Sequence, residues 1–298
     1  MDIRHLKHFS GIAKYGSFSE AAKRLYISQP ALTRSINVLE DQLGTRLFER
    51  TPKGVHLTET GTMLHRHAVL ILNEMDTAKE ELKAVLEGSY GEVHIGAASM
   101  FANRFIDKAA ANLAKRNESM RLSINIGLYE ELVQQLLDGV LDVILSTSPE
   151  TEYREDLVFE PLCQISSVIV AAPNHPLSKV ESVEISDLVG VPWVVLEQPH
   201  MDSFMYSFFA EVGLAAPVSR VKTNSLEVIR SIVRQDNFVG FLPSHWVEED
   251  VKQGLLTILP VVGTPIRRKA GVIMRKNNAS KAALELLIDE LRTVCSSV

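Results

Sequence analysis

Gln29, Thr33, Arg34 and Asn37 fall within nine residues, spaced so that an α-helix would gather them on one flank. These are the side chains that read nucleic-acid base edges. A Gln or Asn amide fits adenine bidentately, and an Arg guanidinium fits guanine or grips a phosphate. Ser28, just before them, is a natural helix N-cap, and Pro30 is tolerated in a first turn. Leu32, Ile36, Leu39 and Leu43 recur at 4-3-4 spacing and are expected to bury the opposite face. A plain solvated helix can carry the same polar flank, so the surrounding elements must decide between the two readings.

Those elements favour the base-reading one. Leu6, Phe9, Ile12 and Ala13 mark a first helix that Gly16 ends. Ser17 and Glu20 form an S-x-x-E capping box for a short second helix with Ala21, Ala22 and Leu25 inward. Tyr26 and Ile27 are expected to make a tight apolar turn. A short helix, a tight turn and an exposed third helix match helix-turn-helix docking in a major groove. Leu47–Arg50, a turn at Thr51–Gly54 and Val55–Leu57 then read as a β-hairpin. Arg50 and Lys53 would make it a basic wing that touches phosphates; incidental surface charge is the plainer alternative.

Charge separates along the chain in the same sense. The net charge is −6, yet residues 1–58 hold nine Lys and Arg against five Asp and Glu. That leaves a head of +4 on a body of −10, a polyanion-binding module joined to something else.

From Thr58 to Glu87 there is no proline and one glycine, Gly61. Leu64, Ala68, Ile71, Met75, Ala78, Leu82 and Val85 alternate at four and three residues, a seam for pairing two helices. Packing of this helix on its own chain is the alternative. Thr58 reads as its N-cap and Gly88 as its stop. Beyond Gly88 strands and helices alternate. Val93–Gly96, Leu122–Ile126 and Asp142–Leu145 form one set of strands, to which Ala270–Met274 returns. Ser167–Val170, Trp193–Leu196, Val218–Val221 and Val239–Leu242 form a second. The alternation predicts an α/β fold with parallel-type sheets covered by helices.

The run Phe18-Ser-Glu-Ala-Ala-Lys-Arg-Leu25, then Ser28-Gln-Pro-Ala-Leu-Thr-Arg-Ser-Ile36, resembles the signature of LysR-type regulators. Leu39–Gly44, Leu47–Arg50 and Leu57–Gly61 continue it over about sixty residues in order and spacing. Ala171–Leu177, Asp187-Leu188, Thr223–Leu226 and Gly240–Pro243 fit the family's second effector subdomain more diffusely. The resemblance implies a winged helix-turn-helix, a dimerising linker helix and two α/β subdomains like a periplasmic solute-binding protein. It implies the bounds 1–58, 59–88 and 91–298, with subdomain I at 91–161 and 266–298 and subdomain II at 162–265. Gln29, Pro30, Thr33 and Arg34 would then lie in or beside the major groove, with Arg50 and Lys53 near the flanking minor groove.

In such sheets ligands bind beyond the carboxyl ends of strands, facing helix N-termini. That placement picks out Ser99, Met100, Tyr129, Thr147, Met201, Asn224, Ser225 and Phe241 as effector contacts. The hydroxyls favour a small organic acid, and Met100, Met201 and Phe241 an apolar portion of it. For each polar residue an ordinary helix cap is the competing role. Tyr129 is larger than the residue the family commonly has there, and the resemblance then implies a narrower cleft.

The expected partners are a double-stranded, interrupted palindromic operator, a second copy or four copies of the chain, and RNA polymerase as a further candidate. No GxSxG, Walker, GxGxxG or HExxH motif is present, and His65 and His67 point different ways on a helix. No enzyme activity, cofactor or metal is expected. The polar start Met1–Lys7, the lack of any ~20-residue apolar run and two cysteines far apart in sequence, Cys163 and Cys295, point to the cytoplasm with no disulfide framework. A solute-binding protein or other small-molecule sensor would account for the body but leaves residues 1–58 without a purpose.

Overall fold

The Asp2 carboxylate accepts the Arg4 N–H at 2.9 Å and so opens helix α1 (Ile3–Tyr15), which closes on Gly16 in the left-handed conformation. The computed structural model describes residues 1–51, 54–148, 154–197, 199–235, 237–276 and 282–296. They cluster into two units, Met1–Glu92 with Gln134–Leu141, and Val93–Val133 with Asp142–Val298.

In the first unit α2 (Phe18–Arg24) and α3 (Gln29–Leu43) are capped by the Ser17 and Ser28 hydroxyls, which accept from Glu20 N and Ala31 N. The expected S-x-x-E box forms in one direction, because the Glu20 carboxylate receives Arg24 Nε at 3.0 Å. Leu6, Phe9, Ile12, Ala21, Ala22, Leu32, Ile36 and Leu39 make the core of the three helices. Each large apolar side chain so buried contributes about 1.5–3 kcal/mol.

Two sequence expectations need correction here. Leu43 is 41% exposed, because Gly44 ends the helix there and the last turn projects past the core. Tyr26 adopts φ 55° and is 94% exposed, so only Ile27 of the turn packs inward. The left-handed residue supplies the sharp reversal between α2 and α3 and throws its ring outward.

The hairpin β1 (Phe48–Thr51) and β2 (Gly54–Leu57) is antiparallel, with Phe48 opposite Leu57. Buried Glu40 fastens α3 to it. Its carboxylate accepts from Leu47 N at 2.7 Å, Phe48 N at 3.3 Å and Arg46 Nη1 at 3.1 Å. Helix α4 (Glu59–Glu87) starts on the Thr58 hydroxyl, which accepts from Gly61 N at 3.0 Å, and ends on left-handed Gly88. Gly61 is required by a close approach, since a Cβ there would stand 2.1 Å from the Leu47 carbonyl oxygen.

Beyond α4 the chain runs β3 (Gly91–Ala98), α5 (Ile106–Arg116), β4 (Met120–Gly127), α6 (Tyr129–Leu137), β5 (Val143–Thr147) and β6 (Leu157–Ala171). It continues with β7 (Trp193–Leu196), α7 (Pro199–Ala210), β8 (Val221–Thr223), α8 (Leu226–Val233), β9 (Val239–Pro243) and α9 (Ser244–Lys252). β10 (Thr257–Ile258), β11 (Ile266–Arg275) and α10 (Ala282–Ser296) complete it. The strands join in one mixed sheet, ordered β4-β3-β5-β11-β6-β9-β7-β8, with β10 on β6. β3 and β5 are parallel, as are β7, β8 and β9, while β6 and β11 run antiparallel to their neighbours.

Two separate strand sets were expected, with β6 confined to 167–170. Instead β6 pairs with β11 from Leu157 to Ser167 and with β9 from Ser167 to Ala171, so it bridges both sets. Strand β8 likewise lies at Val221–Thr223 rather than 218–221. Two apolar cores flank the bridge, one around Phe101, Phe105 and α10, the other around Trp193, Phe209 and α8.

Candidate nucleic-acid and effector sites

In the head, Ser28, Gln29, Pro30, Arg34 and Asn37 are exposed and Thr33 is half-buried. They share the flank of α3 opposite Leu32, Ile36 and Leu39. Among the described residues, Gln29, Arg34 and Asn37 spend no side-chain hydrogen bond or ion pair on their own chain. Their neighbour Ser35 is committed, in a 2.7 Å hydrogen bond with His8 Nδ1. The positive end of the α3 dipole emerges at Ser28–Pro30, beside these free groups, and favours phosphate there. Arg50 lies on β1 across from Val55. Lys53 falls outside the described residues.

Sequence reasoning missed Glu40 and Tyr26. Glu40 reads as one more surface acid until the hairpin folds over it. Tyr26 looks apolar, and only its place in a two-residue interhelical turn signals that it must point out.

Along α4 the expected pairing seam divides. Leu64 is partly buried against the head core and Ala68 is fully buried in it, so Ala68 has no surface left to offer a second copy. Helix α1 packs on α4 in this core, a contact that spacing alone cannot reveal. Met75 is half-buried and Ala78 exposed. Ile71, Leu82 and Val85 are exposed, Val85 at 77%, and Leu86 beside them reaches 87%. The apolar surface on offer therefore runs from Ile71 toward the end of the helix.

In the body the named effector residues sit at strand ends. Ser99 and Met100 form a 3-10 turn directly after β3, Tyr129 opens α6 after β4, and Thr147 ends β5. Met201 lies on α7 after β7, Asn224 follows β8, and Phe241 is on β9. Met201 is buried in the second core, and Phe241 stacks on Phe204 of α7 with ring centroids 4.7 Å apart. Asn224 is exposed. The Ser225 hydroxyl caps α8 by accepting from Val228 N at 3.4 Å.

The ends of the two strand sets meet at Met100. Its carbonyl oxygen accepts from His245 Nε2 at 2.8 Å and Trp246 Nε1 at 3.0 Å, both from the first turn of α9. Its side chain packs against both cores. Arg104 reaches Glu248 at 2.6 Å, and the Ser166 and Ser244 hydroxyls lie 3.0 Å apart. Asp250, buried on the same helix, is held by Arg234 and Arg230 of α8. Burial holds the His245 imidazole below its ordinary value, so a neutral ring donates from Nε2 to Met100. Sequence reasoning found Met100 but neither of its partners, which lie 145 and 146 residues away.

Among the described residues no group of His, Cys, Asp and Glu could hold a metal ion, and no helix is long and apolar enough to cross a membrane.

A free polar helix flank backed by a wing, followed by a long helix and a two-cored α/β module, defines a winged helix-turn-helix regulator with a ligand-binding body. Residues 3–62 match the family model for the bacterial regulatory helix-turn-helix protein, lysR family, and residues 87–296 match the LysR substrate binding domain. The chain belongs to the LysR family of DNA-binding transcriptional regulators. It is 30% identical over 268 residues to the HTH-type transcriptional regulator CfxR of Cupriavidus necator, covering 90% of this chain and 84% of that one. In fold it is similar to ArgP from Mycobacterium tuberculosis (TM-score 0.73, 18% identity, 100% and 98% covered). It is also similar to full-length CbnR complexed with its target DNA (TM-score 0.70, 20% identity, 99% and 100% covered). The curated relatives it matches are transcriptional regulators and not enzymes.

Proposed function

We propose that this regulator reads an interrupted palindrome near a promoter as a homodimer or dimer of dimers in the cytoplasm, and that a small organic acid in the body controls DNA bending and RNA polymerase access. The observation that carries the proposal is the unpaired Gln29, Arg34 and Asn37 flank beside the N-terminus of α3. In this reading residues 1–58 are the DNA reader, 59–88 the pairing helix, and 91–298 the effector module split at 161/162 and 265/266. Ser28, Gln29, Pro30, Thr33, Arg34 and Asn37 contact the major groove, and Arg50 and Lys53 the backbone beside it. Leu64, Ile71, Met75, Ala78, Leu82 and Val85 pair with the second copy. The effector lies among Ser99, Met100, Tyr129, Thr147, Met201, Asn224, Ser225 and Phe241. Hydroxyls and helix N-termini at these strand ends favour a carboxylate, and Met201 and Phe241 favour an apolar or aromatic portion.

Gel shifts with promoter fragments at two salt concentrations test the DNA-reading part. Binding should fall steeply with salt, as phosphate contacts require. Arg34→Ala should cost about 1–3 kcal/mol on the preferred sequence and narrow its margin over random DNA. Equal affinity of wild type and variant for both DNAs would refute the assigned role of α3.

A further inference from the structure

We infer that Cys163 and Cys295 are a thiol pair that a hydroperoxide oxidises to an intramolecular disulfide. They are 132 residues apart in the sequence, and the fold brings them together. Cys163 lies on β6 opposite Ala270 of β11, on the same side of the strand as buried Ile165. Cys295 lies in the last turn of α10, buried in the core against which Cys163 packs. Both cysteines are free, and each thiol perturbs the protonation of the other across the core they share. Three residues before each of them, Arg292 of α10 reaches Glu160 of β6, its Nε standing 3.1 Å from the carboxylate, which pins this helix end to this strand.

The local geometry favours reaction over simple packing. The β6–β11 register slips between Ala270 and Gly271, so Leu162 is an extra residue next to Cys163. A bulge of this kind re-aims the adjacent side chains. A disulfide holds its two sulfurs at ~2 Å, so oxidation draws the end of α10 onto β6. Cys295, second from the end of α10, sits where a helix gives most readily.

The two sulfurs have different roles. Cys163 is half-buried and so the more accessible of the two sulfurs, and the neighbouring Cys295 thiol holds it below the ordinary range. Cys295 is buried, and the Cys163 sulfur beside it together with that burial pushes its thiol up. Cys163 is therefore the attacking thiolate and Cys295 the resolving thiol. The Cys163 sulfur attacks one peroxide oxygen, the O–O bond breaks, and the other oxygen leaves as alcohol, or as water from hydrogen peroxide, after taking a proton. The resulting sulfenic acid is attacked by the Cys295 sulfur. Its S–O bond breaks, and water departs with the Cys295 proton. In sum, two thiols lose two electrons and two protons, and the hydroperoxide becomes alcohol and water. The product staples α10 to the strand that bridges both halves of the sheet. In a reducing compartment such a bond is transient, as a redox-responsive site requires.

The test uses the full-length, reduced protein and near-stoichiometric hydrogen peroxide or tert-butyl hydroperoxide. The intact mass should fall by two hydrogens, both thiols should vanish from titration, and a Cys163–Cys295 linked peptide should appear; a phosphine reductant should reverse all three. Cys295→Ser should still react but stop at a sulfenic acid that dimedone captures. Cys295→Ala, which buries no hydroxyl, repeats this measurement should the serine variant misfold. Cys163→Ser should consume peroxide at least about tenfold more slowly. Persistent thiols, a disulfide between chains, or equal reactivity of the two single variants would overturn the inference. None of these readouts depends on DNA or effector.

Discussion

At the scale of single residues, side chains that look ordinary in the sequence take their roles from what folds over them. Glu40 would be one more acid on α3, yet Arg46 and the Leu47 and Phe48 amides at the start of the wing converge on its carboxylate. His245 is similar: burial makes it a neutral donor to Met100, while Arg104 also disfavours its proton and Glu248 and Asp107 favour it. Because its folded pKa is depressed, the unfolded chain takes up the proton first as pH falls below about 6.5, so stability is full above that value and declines beneath it. His8 and His175, also lowered chiefly by burial, add to the slope in the same sense. Thermal unfolding about one unit above and below 6.5 should show the decline. His245→Gln, whose amide can still donate to Met100, should flatten it. An unchanged slope would mean that the ring titrates normally.

At the scale of elements, periodicity identified the faces of helices, and the neighbours decided how each face is used. Helix α4, 29 residues and about 44 Å long, carries an apolar repeat whose first part serves the head and whose later part is open. A pairing role for the open part predicts that Leu82→Asp, which places a charge in an apolar interface, weakens association by several kcal/mol. Light scattering across a concentration series should then find monomers. The head should still bind DNA weakly, since Leu82 is outside its core. Dimers as stable as wild type would put pairing elsewhere.

At the scale of the whole molecule, an effector can act only by binding one arrangement more tightly than another. Small carboxylates and aromatic acids screened by thermal shift should include one that stabilises the protein, by about 2.7 kcal/mol at a hundredfold excess over its Kd. With that ligand bound, footprint length and DNA bend angle should change. If both stay the same while the ligand is demonstrably bound, effector control of DNA shape fails. The strand ends that would receive it are joined at Met100 by His245 and Trp246, so a ligand there would touch the contact between the two cores.

The sequence by itself determined the three helices of the head, their serine caps, the wing, the linker helix with its Thr58 and Gly88 ends, and the alternating body. Each of these rests on local spacing and capping, which act over a few residues. Only the tertiary structure decided that Tyr26 points out, that Leu43 is exposed and Ala68 buried, that one sheet runs through both halves of the body, and that Cys163 meets Cys295. Those outcomes depend on contacts between residues remote in the chain, and periodicity within one element carries no information about which distant surface will cover it.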